Sequence, residues 1–287
     1  YPTAGTPSPA ESQPFYVNSP FGIAFAHNGN LINADKLKTQ LFFQVQRHLN
    51  TESDSEILLN GFAQELSNRK TVTLSPQDIF DAVCKVYDRC TGAYAAVAMI
   101  IGHGLVAFRD IHGIRPLVFG GRETETGEVE YCVASESVAL DALGFEFIRN
   151  VAPGEAVYIT NDGDVHSYQC YDPSAILHTP CIFEYVYLAR PDSRIDGVYV
   201  HKARVRMGKY LAENIKRQWP EYKKNIDIVV PVPSTSRSIA LRMARKLKIE
   251  YRDGFVKNRY IGRTFIMPDQ AARKKSVRAK LNALDVE

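Results

Sequence analysis

The sequence predicts a layered α+β domain followed by the opening of a parallel α/β domain, and three observations carry that reading. Two helices with clear start signals stand among many short apolar strands in the first part of the chain, the texture of helices covering a mostly antiparallel sheet. In the second part a strand, a loop of hydroxyl residues and a helix follow one another directly, which is how a parallel sheet begins. Charge divides as well: 24 Lys and Arg against 11 Asp and Glu follow Cys181, close to +13, leaving 11 basic and 21 acidic residues before it, close to −10. Such asymmetry suggests two domains with different partners, the basic one suited to a polyphosphate or a nucleic acid. A solvated basic face without a ligand is the plainer alternative.

Residues 1–20 are rich in Pro, Ser, Thr and Ala. Phe21 to Ala26 then reads as a buried strand entering a tight turn at His27-Asn28-Gly29-Asn30, because Asn-Gly accepts the positive φ of hairpin turns. From Thr51 to Leu66, Leu58, Phe62 and Leu66 recur at four-residue spacing, and Ser53 three residues before Glu56 has the capping-box pattern, which predicts a helix starting at Asp54. Ser75, Pro76 and Asp78 give an N-cap, an N1 proline and an early acid to a second helix with Ile79, Val83, Val86 and Tyr87 on one face.

Strands follow at Tyr94 to Ile101, Leu105 to Phe108, Pro116 to Phe119 and Tyr131 to Ala134. A short helix over Ser135 to Leu143 and a hairpin turned at Asn161-Asp162-Gly163-Asp164 close this part. Further on, a helix near Ala203 to Arg217 precedes a strand over Ile226 to Val230, which Pro231-Val232-Pro233 ends. Ser234-Thr235-Ser236 then leads into a helix carrying Ile239, Leu241, Met243, Ala244 and Leu247. One strand–loop–helix unit is fewer than a parallel sheet needs, so the second domain reads as unfinished.

At 287 residues and 45% hydrophobic content the chain is globular and long enough for two domains. No run of eighteen apolar residues occurs, and YPTAGTPSPAESQP is neither a basic nor an apolar leader, so neither membrane insertion nor export is indicated. Five scattered cysteines, Cys84, Cys90, Cys132, Cys170 and Cys181, without CxxC spacing, read as reduced thiols of a cytoplasmic protein.

Four segments have a chemical reading beside the structural one. Asn28 and Gly29 either turn a hairpin or, with a side-chain amide and a backbone N–H, form an oxyanion hole, each donor worth roughly 3–4 kcal/mol in an acyl-transfer transition state. The stretch Thr51 to Glu56 either caps a helix or turns Asp54 toward a ligand ammonium. Ser234-Thr235-Ser236 caps a helix or grips phosphate with backbone N–H groups, with Arg237 adding charge. Lys257 to Phe265, basic with interleaved aromatics, is a solvated loop or a phosphate-gripping lid.

These segments in this order, with YPTAG, QPFYVNSP, AHNGNL, SDSE, FRDxxGIRPL, ASESVAL, APGEA, EYVYLARPDS and KNRYIGRTFIMP, resemble the amidophosphoribosyltransferase (glutamine phosphoribosylpyrophosphate amidotransferase) family over essentially the whole chain. The resemblance implies an N-terminal-nucleophile glutaminase domain of αββα layers over residues 1–175, its N-terminal part missing. A type I phosphoribosyltransferase domain over 176–287 would follow, its C-terminal part missing. Family members make 5-phosphoribosylamine, glutamate and pyrophosphate from phosphoribosyl pyrophosphate, glutamine and water, the first step of purine (IMP) biosynthesis. An N-terminal cysteine attacks the glutamine amide with its own α-amino group as base, and ammonia travels through an internal channel to the ribose C1. No Cys precedes Cys84 here.

By the same resemblance Asn28 and Gly29 match the oxyanion hole, Asp54 the group that binds the glutamine ammonium, and Thr3 the residue beside the carboxylate site. Thr235 and Ser236 match the loop that touches pyrophosphate and its Mg²⁺, Thr235 being the metal contact, and Lys257 and Tyr260 fall in a flexible loop that closes over the substrate. Two departures stand out: Ser234 occupies a position that is usually acidic, and the Asp-Asp segment that grips the ribose hydroxyls is absent. The chain alone is therefore expected neither to hydrolyse glutamine nor to consume phosphoribosyl pyrophosphate. Purine nucleotides would be feedback inhibitors and the complete protein a homo-oligomer, with no nucleic-acid or membrane partner. Cys181 sits where some members place an iron–sulfur ligand, but cluster-free relatives also have a cysteine there, so a plain buried thiol is the reading adopted. A binding module that lacks the nucleophile by nature is the rival class. Another glutaminase, such as a sugar-phosphate amidotransferase, fits the KNRYIGRTF segment poorly.

Overall fold

The computed structural model describes residues 8–262 and 269–284. The chain divides into two compact units, Tyr1–Cys181 and Ile182–Glu287. Among the described residues of the first, nine strands and four α-helices run in the order β1 (Phe15–Val17), β2 (Ile23–Leu31), α1 (Ala34–Val45), α2 (Asp54–Ser67), α3 (Pro76–Arg89), β3 (Gly92–Ile100), β4 (Gly104–Arg109), β5 (Val118–Glu123), β6 (Val129–Ala134), α4 (Ser137–Leu143), β7 (Glu146–Asn150), β8 (Glu155–Thr160) and β9 (Val165–Gln169). Six of these strands form an antiparallel sheet in the order β1-β2-β3-β4-β8-β9, and β6-β5-β7 form a second sheet.

The two-residue period of the strands determines what each face does. On β3, Tyr94, Ala96, Ala98 and Ile100 join Ile57, Leu58, Phe62, Val83 and Val86 of α2 and α3 in one core. Ala95 of the same strand, with Ala107, Val157 and Ile159, points the other way, onto Leu117 and Phe119 of the second sheet. Short helix α4 lies against that sheet's outer side, where Leu140 crowds Gly120. The layers are thus helices, sheet, sheet and a short helix.

Local signals explain several elements. Ser75 and Asp78 form a reciprocal capping box at α3, with Pro76 in the first turn. At α2 the N-cap Ser53 accepts from Ser55 N instead of Glu56 N. The expected capping box does not form, because the Glu56 carboxylate turns to the Asn50 and Thr51 backbone N–H groups and the Thr51 hydroxyl. A larger correction concerns His27 to Asn30. No turn forms there; β2 continues to Leu31 in register with β3, Gly29 opposite Tyr94 and Leu31 opposite Gly92. Helix α1 has no counterpart among the expected elements, since Phe42 and Phe43 are exposed while Leu37 and Leu41 alone are buried, which blurs the apolar stripe.

The cysteines also differ from expectation. Cys84 of α3 and Cys170, just past β9, form a disulfide with Cα atoms 5.4 Å apart, so these two are not reduced thiols. Packing of α3 over the end of the sheet brings them together: Phe80 stacks on Tyr168, and the Tyr171 hydroxyl donates to Asp88. Cys90 is free and buried, and Cys132 and Cys181 are free and half-buried, so Cys181 is less enclosed than the buried thiol expected.

The second unit contains a π-helical turn (Glu184–Leu188), β10 (Arg194–Ile195), β11 (Val198–Tyr199), α5 (Val200–Gln218), α6 (Tyr222–Asn225), β12 (Ile228–Val229), α7 (Arg237–Leu247), β13 (Glu250–Tyr251), β14 (Phe255–Lys257), α8 (Gln270–Lys280) and β15 (Leu281–Ala283). β12 and β13 pair in parallel around α7. α5 packs on α7 where Gly208 lies so close to the Ile239 carbonyl that a Cβ would stand 2.4 Å from that oxygen. Buried Arg204 of α5 donates to the Tyr185 and Ala189 carbonyls, which fastens the EYVYLARPDS segment to the helix.

Candidate functional site

In the first unit the candidate residues gather at the C-terminal end of β2. Alternation puts His27 and Leu31 toward α2, and Asn28 on the opposite, exposed face, where its Nδ2 donates to Ser135 Oγ at 3.2 Å. Ser135 lies in the connection between β6 and α4. Gly29 has φ +152°, and a Cβ on it would meet the Ala93 carbonyl oxygen at 1.9 Å. Only glycine lets β2 lie against β3 at this point. Asn28 therefore offers an amide donor on the exposed face of β2.

Asp54, at the capped start that the sequence marks and the ammonium-binding position that the resemblance implies, is buried at the first turn of α2, 3% exposed. Its Oδ2 accepts from the Leu31 backbone N–H at 2.8 Å, which ties the helix start to the end of β2. Its Oδ1 lies 3.9 Å from His27 Nδ1. His27, in turn, has Nδ1 3.0 Å from Ser55 Oγ. The Gln13 carboxamide pairs with the His27 backbone, accepting from its N–H at 2.6 Å and donating to its carbonyl at 2.9 Å, and it also donates to Ser55 Oγ. Burial lowers the His27 pKa, the Arg115 charge adds to that, and Asp54 opposes it. Thr3 lies outside the described residues.

The FRDxxGIRPL segment is a scaffold beside this site. Asp110 is fully buried and its carboxylate accepts from the backbone N–H groups of Tyr94, His112, Ile114 and Arg115. Arg109, also buried, donates to the carbonyls of Arg115, Val151 and Gly113. Both charges are fully hydrogen-bonded, as buried charges must be.

In the second unit, Ser234-Thr235-Ser236 connects the β12 strand end to α7, beyond the carboxyl end of a parallel strand. Ser236 Oγ donates to the Val232 carbonyl at 2.5 Å, so its hydroxyl holds the loop. Thr235 and Ser236 line a cavity of about 790 Å³ whose opposite wall is α8, with Arg273, Lys274, Arg278 and Lys280. Thr235 also borders a second cavity of about 360 Å³ with Arg190, His201 and Arg204. Lys257 belongs to β14, opposite Leu281, and is not in a loop as expected. Partial burial lowers the Lys280 pKa and repulsion from Lys257 lowers it further, so two cations stand close together beside this cavity. Tyr260 is 99% exposed and touches neither cavity. Among the described residues no cluster of three or more His, Cys, Asp or Glu could hold a metal ion, and no helix is long and apolar enough to cross a membrane.

Sequence reasoning singled out Asn28, Gly29 and Asp54 and missed the groups that hold them. His27, Ser55, Gln13 and Ser135 are joined to them only by long-range contacts. For His27, its place beside Asn28 in the sequence is the available signal. α8 was also missed, although its run of Arg and Lys marks the basic cavity wall.

A glutamine amidotransferase domain profile matches residues 4–142. An amidophosphoribosyltransferase of Pseudomonas aeruginosa is 60% identical over 287 residues, covering 100% of this chain and 56% of that protein. One from Saccharomyces cerevisiae is 50% identical, again over 100% of this chain and 56% of the relative. Among solved structures, glutamine phosphoribosylpyrophosphate amidotransferase from B. subtilis, complexed with ADP and GMP, superposes with a TM-score of 0.71 at 36% identity, covering 95% of this chain and 55% of that one. The chain spans about half the length of the curated relatives it matches.

Proposed function

We propose that the chain is part of an amidophosphoribosyltransferase, and that the protein it represents transfers glutamine-derived ammonia to phosphoribosyl pyrophosphate, releasing glutamate and pyrophosphate at the start of purine synthesis. The observation that carries this reading is the end of β2. Asn28 presents an amide donor on an exposed face, and Asp54 is fastened to Leu31 of the same strand. An amide donor and a carboxylate at one strand end suit an amide substrate with an α-ammonium group, and the Gly29 N–H is read as the second oxyanion donor. The helix, sheet, sheet, helix layering supports an N-terminal-nucleophile glutaminase as the finer class, and the protein is read as cytoplasmic.

The cavity bordered by Thr235 and four cations of α8 suits a polyanion such as phosphoribosyl pyrophosphate. Lys257 adds charge beside it, and Tyr260 is read as part of the segment that closes on the bound substrate. Mg²⁺ fits a donor set of this kind when phosphate oxygens supply most of its ligands, with the Thr235 hydroxyl as the protein's contribution. Bound there, it would neutralise charge on the departing pyrophosphate. Cys181, half-buried and free, is read as a thiol and not as a cluster ligand. Purine nucleotides are read as feedback ligands of a homo-oligomer, consistent with the ADP and GMP of the B. subtilis complex.

The test uses the full-length protein. Glutamate release should require glutamine, and pyrophosphate release should require phosphoribosyl pyrophosphate with glutamine or ammonia. Asn28→Ala should lower the glutamine-dependent rate by about 10²–10³-fold, the cost of one oxyanion donor, and leave the ammonia-dependent rate intact. Equal losses in both rates would contradict the assignment.

A further inference from the structure

Next to the oxyanion segment stands a group that the proposed chemistry does not use. His27 is 7% exposed and its Nε2 is buried with no hydrogen-bond partner among the described residues. A buried ring nitrogen without a partner is costly, and a phenylalanine or leucine would fill the same space without that cost. The rest of the ring is tightly held. Nδ1 meets Ser55 Oγ, Gln13 clamps the backbone on both sides, and Asp54 Oδ1 is 3.9 Å away, too far for a hydrogen bond yet within strong Coulombic range.

Both protonation states can be followed from these contacts. In the neutral ring with its proton on Nδ1, that N–H donates to Ser55 Oγ and only the weak-acceptor lone pair of Nε2 is left without a partner. An imidazolium carries two N–H groups, and the one on Nε2 would have no acceptor in this structure. Its positive charge would also sit beside the carboxylate that the amidotransferase reading assigns to the substrate ammonium. Gln13, Ser55 and the β3 partner Ala96 bring no charge to the ring, whereas Asp54 of α2 and Arg115, beyond β4, do.

Resting on the amidotransferase reading, we infer that His27 is a positioning residue of the glutamine site: its ring, hydrogen-bonded to Ser55, joins β2 to the start of α2 beside Asp54, and once protonated it competes with substrate for Asp54. It does not touch the reacting atoms. The consequence is a pH dependence of glutamine binding that is separate from that of the chemical step.

The experiment measures glutaminase kinetics of the full-length protein between pH 5 and 8, for wild type, His27→Gln and His27→Asn. In wild type, KM for glutamine should rise as pH falls, about tenfold per pH unit once the ring is protonated, with the smaller effect on kcat. In both variants, which keep a polar group near Ser55 but cannot take up a proton, that rise should disappear. An unchanged KM profile in the variants of an active enzyme overturns the role of His27 alone. Absence of glutamate release by wild type overturns the amidotransferase reading and this inference with it. Nitrogen-15 spectra of histidine-labelled wild type give a check that needs no variant. The His27 midpoint should coincide with the pH at which KM begins to rise, and a rise that starts well away from that midpoint overturns the inference.

Discussion

Gly29→Ala tests the account of β2 most sharply, because one methyl group meets a fixed wall. The added Cβ would lie 1.9 Å from the Ala93 carbonyl oxygen, and the φ of +152° is one that L side chains rarely adopt. A non-glycine residue held in such a conformation costs about 1–3 kcal/mol. Relief of the contact requires β2 and β3 to part near the Leu31–Gly92 end, at about 1 kcal/mol for each ladder bond lost. With two such bonds the sum is about 3–5 kcal/mol, a large share of the stability of a typical domain. Gly61→Ala is the control: it lies inside α2, has nothing within 4 Å of its would-be Cβ, and should stabilise by about 1 kcal/mol through helix propensity. Urea unfolding followed by circular dichroism measures both, and amide exchange of the β2–β3 pair reports the ladder. A Gly29→Ala protein as stable as wild type, with the ladder protected, would refute the reasoning.

Three further outcomes follow from the same structure. Removing the Cys84–Cys170 bridge, which closes a separation of 86 residues, should cost about 2–4 kcal/mol in urea unfolding, somewhat below the loop-entropy estimate of about 4–5 kcal/mol; no change between oxidised protein and Cys84→Ser would count against a formed disulfide. Ser75→Ala should cost about 1 kcal/mol by breaking the reciprocal cap of α3, whereas Ser53→Ala should lose only one weaker cap bond, and equal losses would argue against the difference seen between the two helix starts. Burial pushes the Cys90 thiol up to about 12, above its ordinary 9.0, so it should resist iodoacetamide at pH 8.5 while the chain is folded. Because the folded value is the higher one, the stability it contributes is complete below pH 9 and is lost as pH rises toward 12, which alkaline unfolding curves of wild type and Cys90→Ala would reveal.

Elements whose signals are local were legible in the sequence. The start of α3 depends on Ser75, Pro76 and Asp78 within four residues, and the β8–β9 hairpin on Asn161 to Asp164, and both lie where expected. The His27 to Asn30 stretch was misread because Asn-Gly is the strongest turn signal available over short range. Here the glycine serves the approach of two strands and not a reversal of direction. The disulfide was invisible for a related reason, since nothing in the spacing of five scattered cysteines tells which pair a helix packed on a sheet will bring within 5.4 Å. For the candidate site, Asn28, Gly29 and Asp54 could be picked from short motifs. Their supports, Gln13, His27, Ser55 and Ser135, answer to tertiary contacts that no motif encodes. The same holds for α8, whose basic residues become a cavity wall only through the fold.

One measurement bears most directly on the central claim, that the end of β2 positions an amide substrate. With the full-length protein, glutamine binding measured by calorimetry should be lost, or weakened at least tenfold, in Asp54→Asn, whose amide can no longer pair with an ammonium group but can still accept from Leu31 N–H. The fold, checked by its unfolding midpoint, should remain. Undiminished glutamine affinity in a folded Asp54→Asn protein would contradict the account.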